Sequence, residues 1–208
     1  MTMLTLFYAP RTCSLASLIA LEEAGVPYDA LRLDFKTGEQ RSQRYLAINP
    51  KGRVPALATE RGVLTETPAI LAFIAQMFPA ARLAPLDDPF AFAELQAFNA
   101  YLCSTVHVAH AHRLRGARWA DEPASLEDMI RKVPANMAEC FELIETKMFK
   151  GPWAMGETFS VADAYLYTIG TWLKGDGVDI ISFPHIAEHA ERTAARENVK
   201  RALVKEGA

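Results

Sequence analysis

A short apolar strand that breaks at a proline and runs straight into a helix headed by a cysteine constrains this chain more than any other stretch. Leu4 to Tyr8 reads Leu-Thr-Leu-Phe-Tyr, with enough β-branched and aromatic character for a buried strand. Pro10 ends it, Arg11 and Thr12 make a loop, and Leu15, Leu18, Ile19 and Leu21 keep helical spacing up to Gly25. Tyr28 to Asp34 then alternates as a second strand. Strand, helix and strand of this size form a βαβ unit, and the right-handed crossover makes the two strands parallel with the helix on one face. Cys13 and Ser14 fall at the start of that helix, where the first amides lack internal partners and the dipole is positive. A thiolate is favoured there, so the thiol of Cys13 is expected to drop from about 8.5 toward roughly 3.5 to 7.5. Ser14 offers a hydroxyl to the sulfur of a bound ligand. The same two residues suit a small buried hydrophobe and a plain helix cap equally well.

The next segment, Lys36 to Arg44, is polar, with Gly38 as a breaker. It reads as a loop or short irregular helix whose basic residues are solvated surface. In Asn-Pro-Lys-Gly-Arg-Val-Pro-Ala-Leu, residues 49–57, Pro50 and Gly52 mark a turn and Val54-Pro55 precedes a strand over Ala56 to Thr59. A cis peptide at Pro55 would turn the Val54 backbone outward for an extended, peptide-like ligand. On the residues alone, the ordinary trans proline opening an edge strand is preferred. Arg61-Gly62 is a hairpin turn into Val63 to Thr65, and Thr65-Glu66-Thr67-Pro68 opens a helix over Ala69 to Phe78. The carboxylate of Glu66, the hydroxyl of Thr67 and the free amides suit a zwitterionic amino-acid head group, or simply a helix cap.

Pro79 to Asp88 has no periodicity and reads as a linker; beyond Pro89 strand signals vanish. A long helix is expected from Phe90 to Leu114, a loop over Gly116 to Ser125, a short helix over Leu126 to Val133, and a further helix started or kinked by Pro134 and running to Phe149. Ser160 and Asp163 form a capping box ahead of a nearly all-round apolar helix, which must be central, so Asp163 reads as structural. Two amphipathic helices, His185 to Arg196 and Asn198 to Lys205, close the chain. With 208 residues, half of them hydrophobic, the chain can bury one substantial core or two modest ones. A net charge of -3 gives no general attraction to nucleic acid or anionic membrane. No apolar run approaches the roughly 20 residues that span a bilayer, and no leader is recognisable, so a cytoplasmic location is expected. Cys13, Cys103 and Cys140 are scattered, which excludes a disulfide framework. His107, His110 and His112 crowd one helix but lack the i, i+4 pair with an adjacent acid that zinc helices use, so no metal is expected.

The segments YAPRTCSLA, LAINPKGRVPAL and LTETPAI, followed in order by STVH and FSVADAYLYT, resemble cytosolic glutathione S-transferases, most like the bacterial beta class. The resemblance covers nearly the whole chain. It implies an α/β plus all-α architecture: a thioredoxin-like βαβ-ββα domain over 1–79, a linker over 80–88 and an all-helical domain over 89–208. Glutathione is the implied co-substrate. Cys13 stands at the cysteine that approaches its sulfur, with Ser14 beside it. Val54 and a cis Pro55 match the backbone clamp on the cysteinyl unit, and Glu66 with Thr67 the grip on the γ-glutamyl group. His107 matches a histidine reaching over from the second domain. A homodimer is also implied. The sequence departs from the pattern at Thr67 for serine, at Arg53 for glutamine, at Val108 for lysine and in a shortened basic segment KTGEQR; Arg53 still suits a carboxylate or the ligand backbone. The expected reaction joins glutathione to a hydrophobic electrophile lying against Val106, His110 and Trp172. The alternatives are glutathione-dependent thiol-disulfide exchange or peroxide reduction through Cys13, and a non-enzymatic ligand-binding or regulatory protein on the same fold.

Overall fold

The computed structural model describes residues 4–207. Its first half is built around strand β1 (Thr5–Tyr8), whose alternate residues face opposite layers. Helix α1 (Ser14–Ala24) returns the chain to strand β2 (Asp29–Arg32), which pairs with β1 in parallel. Strands β3 (Ala56–Thr59) and β4 (Gly62–Thr65) form the hairpin turned by Glu60 and Arg61, and the sheet order is β2-β1-β3-β4, with β3 antiparallel to β1. Helix α3 (Thr67–Met77) lies with α1 on one face, over Leu4, Leu6 and Leu57. Each of these side chains is buried, which contributes about 1.5–3 kcal/mol apiece. The other face carries a smaller cluster of Ala9, Leu33, Tyr45 and Val54, closed by the short helix α2 (Gln43–Leu46). The polar segment after β2 thus ends in a helix capped by Ser42, whose Oγ accepts the Tyr45 amide at 3.2 Å.

From Pro89 onward the described residues are helical apart from turns and one isolated bridge. Helix α4 (Pro89–Tyr101) is capped by Asp88, which accepts the amides of Phe90 and Ala91. It continues through a π-turn (Leu102–Val106) into α5 (His107–Arg115). Helix α6 (Pro123–Leu143) is one unbroken element. The expected loop to Ser125 and the break at Pro134 are therefore corrected: Pro123 supplies the first turn, and Pro134 sits on the exposed side while Val133, Met137, Cys140 and Phe141 bury the other. That packing outweighs the one backbone bond the proline forgoes.

Helix α7 (Val161–Gly170) runs through the middle of the molecule against α1 and α8 (Pro184–Ala194). The anticipated capping box is present, and Asp163 does more than cap. Its carboxylate accepts the amides of Ser160 and Ala154, each at 2.7 Å, and bonds His189 Nε2 at 2.9 Å, all fully buried. Helix α9 (Glu197–Glu206) returns to α1. Arg201 and Lys205 pair with Glu22, Arg196 pairs with Glu23, the Tyr8 hydroxyl donates to the Lys205 carbonyl at 2.8 Å, and the Arg11 amide donates to Glu206 Oε1 at 2.9 Å.

Candidate functional site

A cleft opens where the loops after β1 and α2 and the start of α3 face α5. One side is lined by Cys13, Val54, Pro55, Glu66 and Thr67, and the other by Cys103, His107, Arg118 and Tyr165. Cys13 is the N-cap of α1 and is only 8 % exposed, yet it borders the cleft. Its Sγ donates to the Val54 carbonyl at 3.5 Å. Burial pushes its thiol up to about 11, with the Thr67 hydroxyl and the Arg115 guanidinium pulling the other way. The expected depression of this thiol is thus corrected: the helix N-terminus is present, but desolvation of the charged form outweighs it.

Ser14 is corrected as well. It is fully buried, and its Oγ accepts the Ala9 amide, donates to the Ala9 carbonyl and lies 2.7 Å from Thr12 Oγ1. These bonds knot the turn that presents Cys13 and leave Ser14 buried behind the residues that line the cleft. Arg11, in the same turn, adopts φ +58, a conformation costly for a side chain, and the Glu206 carboxylate fixes its amide.

The Val54–Pro55 peptide is cis, correcting the trans proline that the residues alone favour. Two buried groups aim it: the Tyr45 hydroxyl and Asn49 Nδ2 both donate to the Arg53 carbonyl, at 2.6 and 2.7 Å. The Val54 amide is left with no partner among the described residues. Gly52 permits the turn. It has φ +60, and a Cβ there would lie 2.8 Å from the Gln40 carbonyl and 2.9 Å from Arg41 Nη1. Glu66 is the N-cap of α3 at φ +72, and its carboxylate takes Lys51 Nζ at 2.6 Å, while the buried Thr67 begins the helix.

On the helical side, His107 opens α5 immediately after the π-turn, edge-on to Trp172 at 4.9 Å. Burial, then His110 and the guanidiniums of Arg115, Arg118 and Arg53, push its imidazole down to about 4, so the ring is neutral near pH 7. His110 stacks on Trp172 at 4.3 Å and its Nδ1 lies 2.6 Å from the buried Asp176. Val106 is completely buried and forms no part of the wall, which corrects that expectation; His110 and Trp172 do line it. No group of three His, Cys, Asp or Glu among the described residues is placed to hold a metal.

Sequence reasoning missed Tyr165, Arg115, Arg118 and Lys51. Tyr165 belongs to the apolar run of α7, yet its hydroxyl ends beside the cleft with no hydrogen-bond partner. Only the three-dimensional crossing of α7 and α1 brings it to Cys13.

Both halves of the chain match known proteins. The family model "Glutathione S-transferase, N-terminal domain" matches residues 2–76, and "Glutathione S-transferase, C-terminal domain" matches 121–197. Glutathione S-transferase GstA of Escherichia coli O157:H7 is 32% identical over 97% of this chain and 98% of its own length. A glutathione transferase homologue from Sulfitobacter, solved with bound glutathione, superposes with a TM-score of 0.95 at 48% identity, covering 99% of each chain. A bacterial beta class glutathione S-transferase from Sphingomonas chungbukensis gives a TM-score of 0.85 at 32% identity, over 98% of each chain.

Proposed function

The chain belongs to the glutathione S-transferase family, and from that premise we propose that it joins the sulfur of glutathione to small electrophiles in the cleft between its two halves. The observation that carries this reading is the convergence of one thiol, one free main-chain amide and one carboxylate at a helix start, at Cys13, Val54 and Glu66. The tripeptide lies extended. Val54 pairs with its cysteinyl backbone, the α3 amides and Thr67 take the γ-glutamyl carboxylate, and Glu66 takes the ammonium. Arg53 faces the remaining carboxylate.

Because Cys13 is held protonated, it serves as a neutral donor once its S–H turns from the Val54 carbonyl to the glutathione thiolate, and the N-terminus of α1 adds a favourable potential. His107, held neutral, offers a hydrogen-bond acceptor without adding charge. The thiolate electron pair forms the new carbon–sulfur bond as the leaving group departs with its own pair. In this reading residues 1–79 hold glutathione, 80–88 link, and 89–208 supply the electrophile wall. A homodimer and a cytoplasmic location accompany it. No described helix is long and apolar enough to cross a membrane.

The test is retention on immobilised glutathione with elution by the free tripeptide, together with glutathione conjugation of an activated aryl halide. Failure to bind returns the chain to a non-enzymatic role. Cys13→Ala is expected to lower kcat/KM for conjugation about tenfold by removing a hydrogen bond to a charged atom. If this variant instead keeps conjugation in full and loses only the reduction of a glutathionyl disulfide, the cysteine serves thiol-disulfide exchange.

Glu66 gives a second prediction. Its backbone lies where a side chain costs about 1 kcal/mol, and its ion pair with Lys51 is half-exposed and worth about 0–1 kcal/mol. Glu66→Gly should therefore leave the thermal midpoint unchanged or slightly raised, while glutathione binds about tenfold more weakly for want of the ammonium partner. A lower midpoint with unchanged affinity in calorimetry would contradict the assignment.

A further inference from the structure

The charge of the cleft deepens the proposed reaction and rests on it. The chain is acidic overall, with a net charge of -3, yet Arg11, Arg53, Arg115 and Arg118 border the part of the cleft between Phe35 and Trp172. The carboxylates nearby are already engaged. Glu66 holds Lys51, Asp176 lies beneath His110 and Arg113, and Glu206 accepts the Arg11 amide. Arg53, Arg115 and Arg118 enter none of the ion pairs among the described residues. Their closeness shows at Arg118. The Arg118 guanidinium is held below its ordinary value first by burial and then by Arg53, Arg115 and Arg41.

Glutathione does not account for this many cations. Of its two carboxylates, one goes to the start of α3, and the other needs one guanidinium on the Arg53 side. Arg115 and Arg118, contributed by the helical half, remain beside the half-buried Phe35 ring and the stacked rings of His110 and Trp172. We propose that the second substrate is an anionic electrophile: an aromatic or conjugated compound whose carboxylate is bound by Arg115 and Arg118 while its apolar body lies against Phe35 and the His110–Trp172 stack. The purely hydrophobic electrophile expected from the sequence is thereby narrowed to one carrying a negative charge. Guanidinium pairs recognise a planar carboxylate through two parallel hydrogen bonds, which neutral isosteres cannot match.

The probes are 4-chloro-3-nitrobenzoate and 4-chloro-3-nitrobenzamide, which differ only in charge at the position opposite chlorine. In both, the thiolate pair forms the carbon–sulfur bond, chloride leaves with the carbon–chlorine pair, and the thiol proton passes to solvent. After division by each uncatalysed rate, kcat/KM should favour the carboxylate about tenfold at low salt, and the preference should shrink as ionic strength rises to about 0.5 M. In Arg115→Met/Arg118→Met the ratio should fall to about one. Calorimetry with the two product conjugates, S-(4-carboxy-2-nitrophenyl)glutathione and its carboxamide, reads the same preference without turnover. Equal affinities for the two conjugates, or a preference that survives in the double variant, overturns the proposal while leaving glutathione transfer intact. Absence of any binding heat with glutathione itself removes the transferase reading, and this proposal with it.

Discussion

Asp163→Ala should cost about 3–5 kcal/mol of folding free energy and lower the thermal midpoint by about 10 °C. The carboxylate is wholly buried, so the loss is not softened by water. Its removal strands the amides of Ser160 and Ala154 and the imidazole of His189 at once, and it undoes the cap of the most central helix. Leaving buried donors unmade costs more than a formed bond contributes. Ser160→Ala, which removes the cap to Ala162 and the hydroxyl bond to Asp163 but leaves the carboxylate with its two amides and His189, should cost about 1 kcal/mol. Urea or thermal unfolding of the two variants checks the ordering; a loss under about 1 kcal/mol for Asp163→Ala would show that the three donors find other partners.

The second large effect concerns the reactivity of Cys13. With its thiol at about 11, the thiolate fraction at pH 7.5 is on the order of 300-fold below that of an ordinary cysteine near 8.5. Part of this is offset by the greater nucleophilicity of a more basic thiolate. Alkylation by iodoacetamide at pH 7.5, read by mass spectrometry on the Cys13 peptide in a Cys103→Ser/Cys140→Ser background, should run about 20- to 300-fold slower than for free glutathione. Because the folded thiol ionises above the ordinary value, the rate should climb about tenfold per pH unit up to about pH 10 and then level near 11. Labelling at pH 7.5 as fast as that of free glutathione would mean a resident thiolate, and would hand the chemistry to Cys13 as nucleophile.

Local patterns were legible where the interaction is local. The βαβ start, the hairpin at Arg61, the capping box at Ser160 and the change to helices at Pro89 all rest on residues within a turn or two of one another. Pro134 was not legible as an interior residue of α6, because the apolar contacts that carry the helix past it come from elsewhere in the fold. Within the cleft, Cys13, Val54, Glu66 and Thr67 could be singled out by type and order, and His107 through the family resemblance. The sign of the shift at Cys13 could not: the helix start is written in the sequence, whereas the burial that opposes it depends on how α1 meets β3 and α7. Ser14 reads as a donor to ligand until its three partners at Ala9 and Thr12 are seen. The guanidiniums at 115 and 118 look like ordinary surface charges in a row and become a set only opposite Arg53.

The bond from the Arg11 amide to Glu206 ties the last turn of α9 to the loop ahead of Cys13. Trimming away α9 would strip Glu22 of Arg201 and Lys205, take Asn198 from Glu23 and release the turn that precedes Cys13, so the first eighty residues are not a free-standing module. A substitution in the last turn of α9 is, for the same reason, made next door to Cys13 and not at a remote pole.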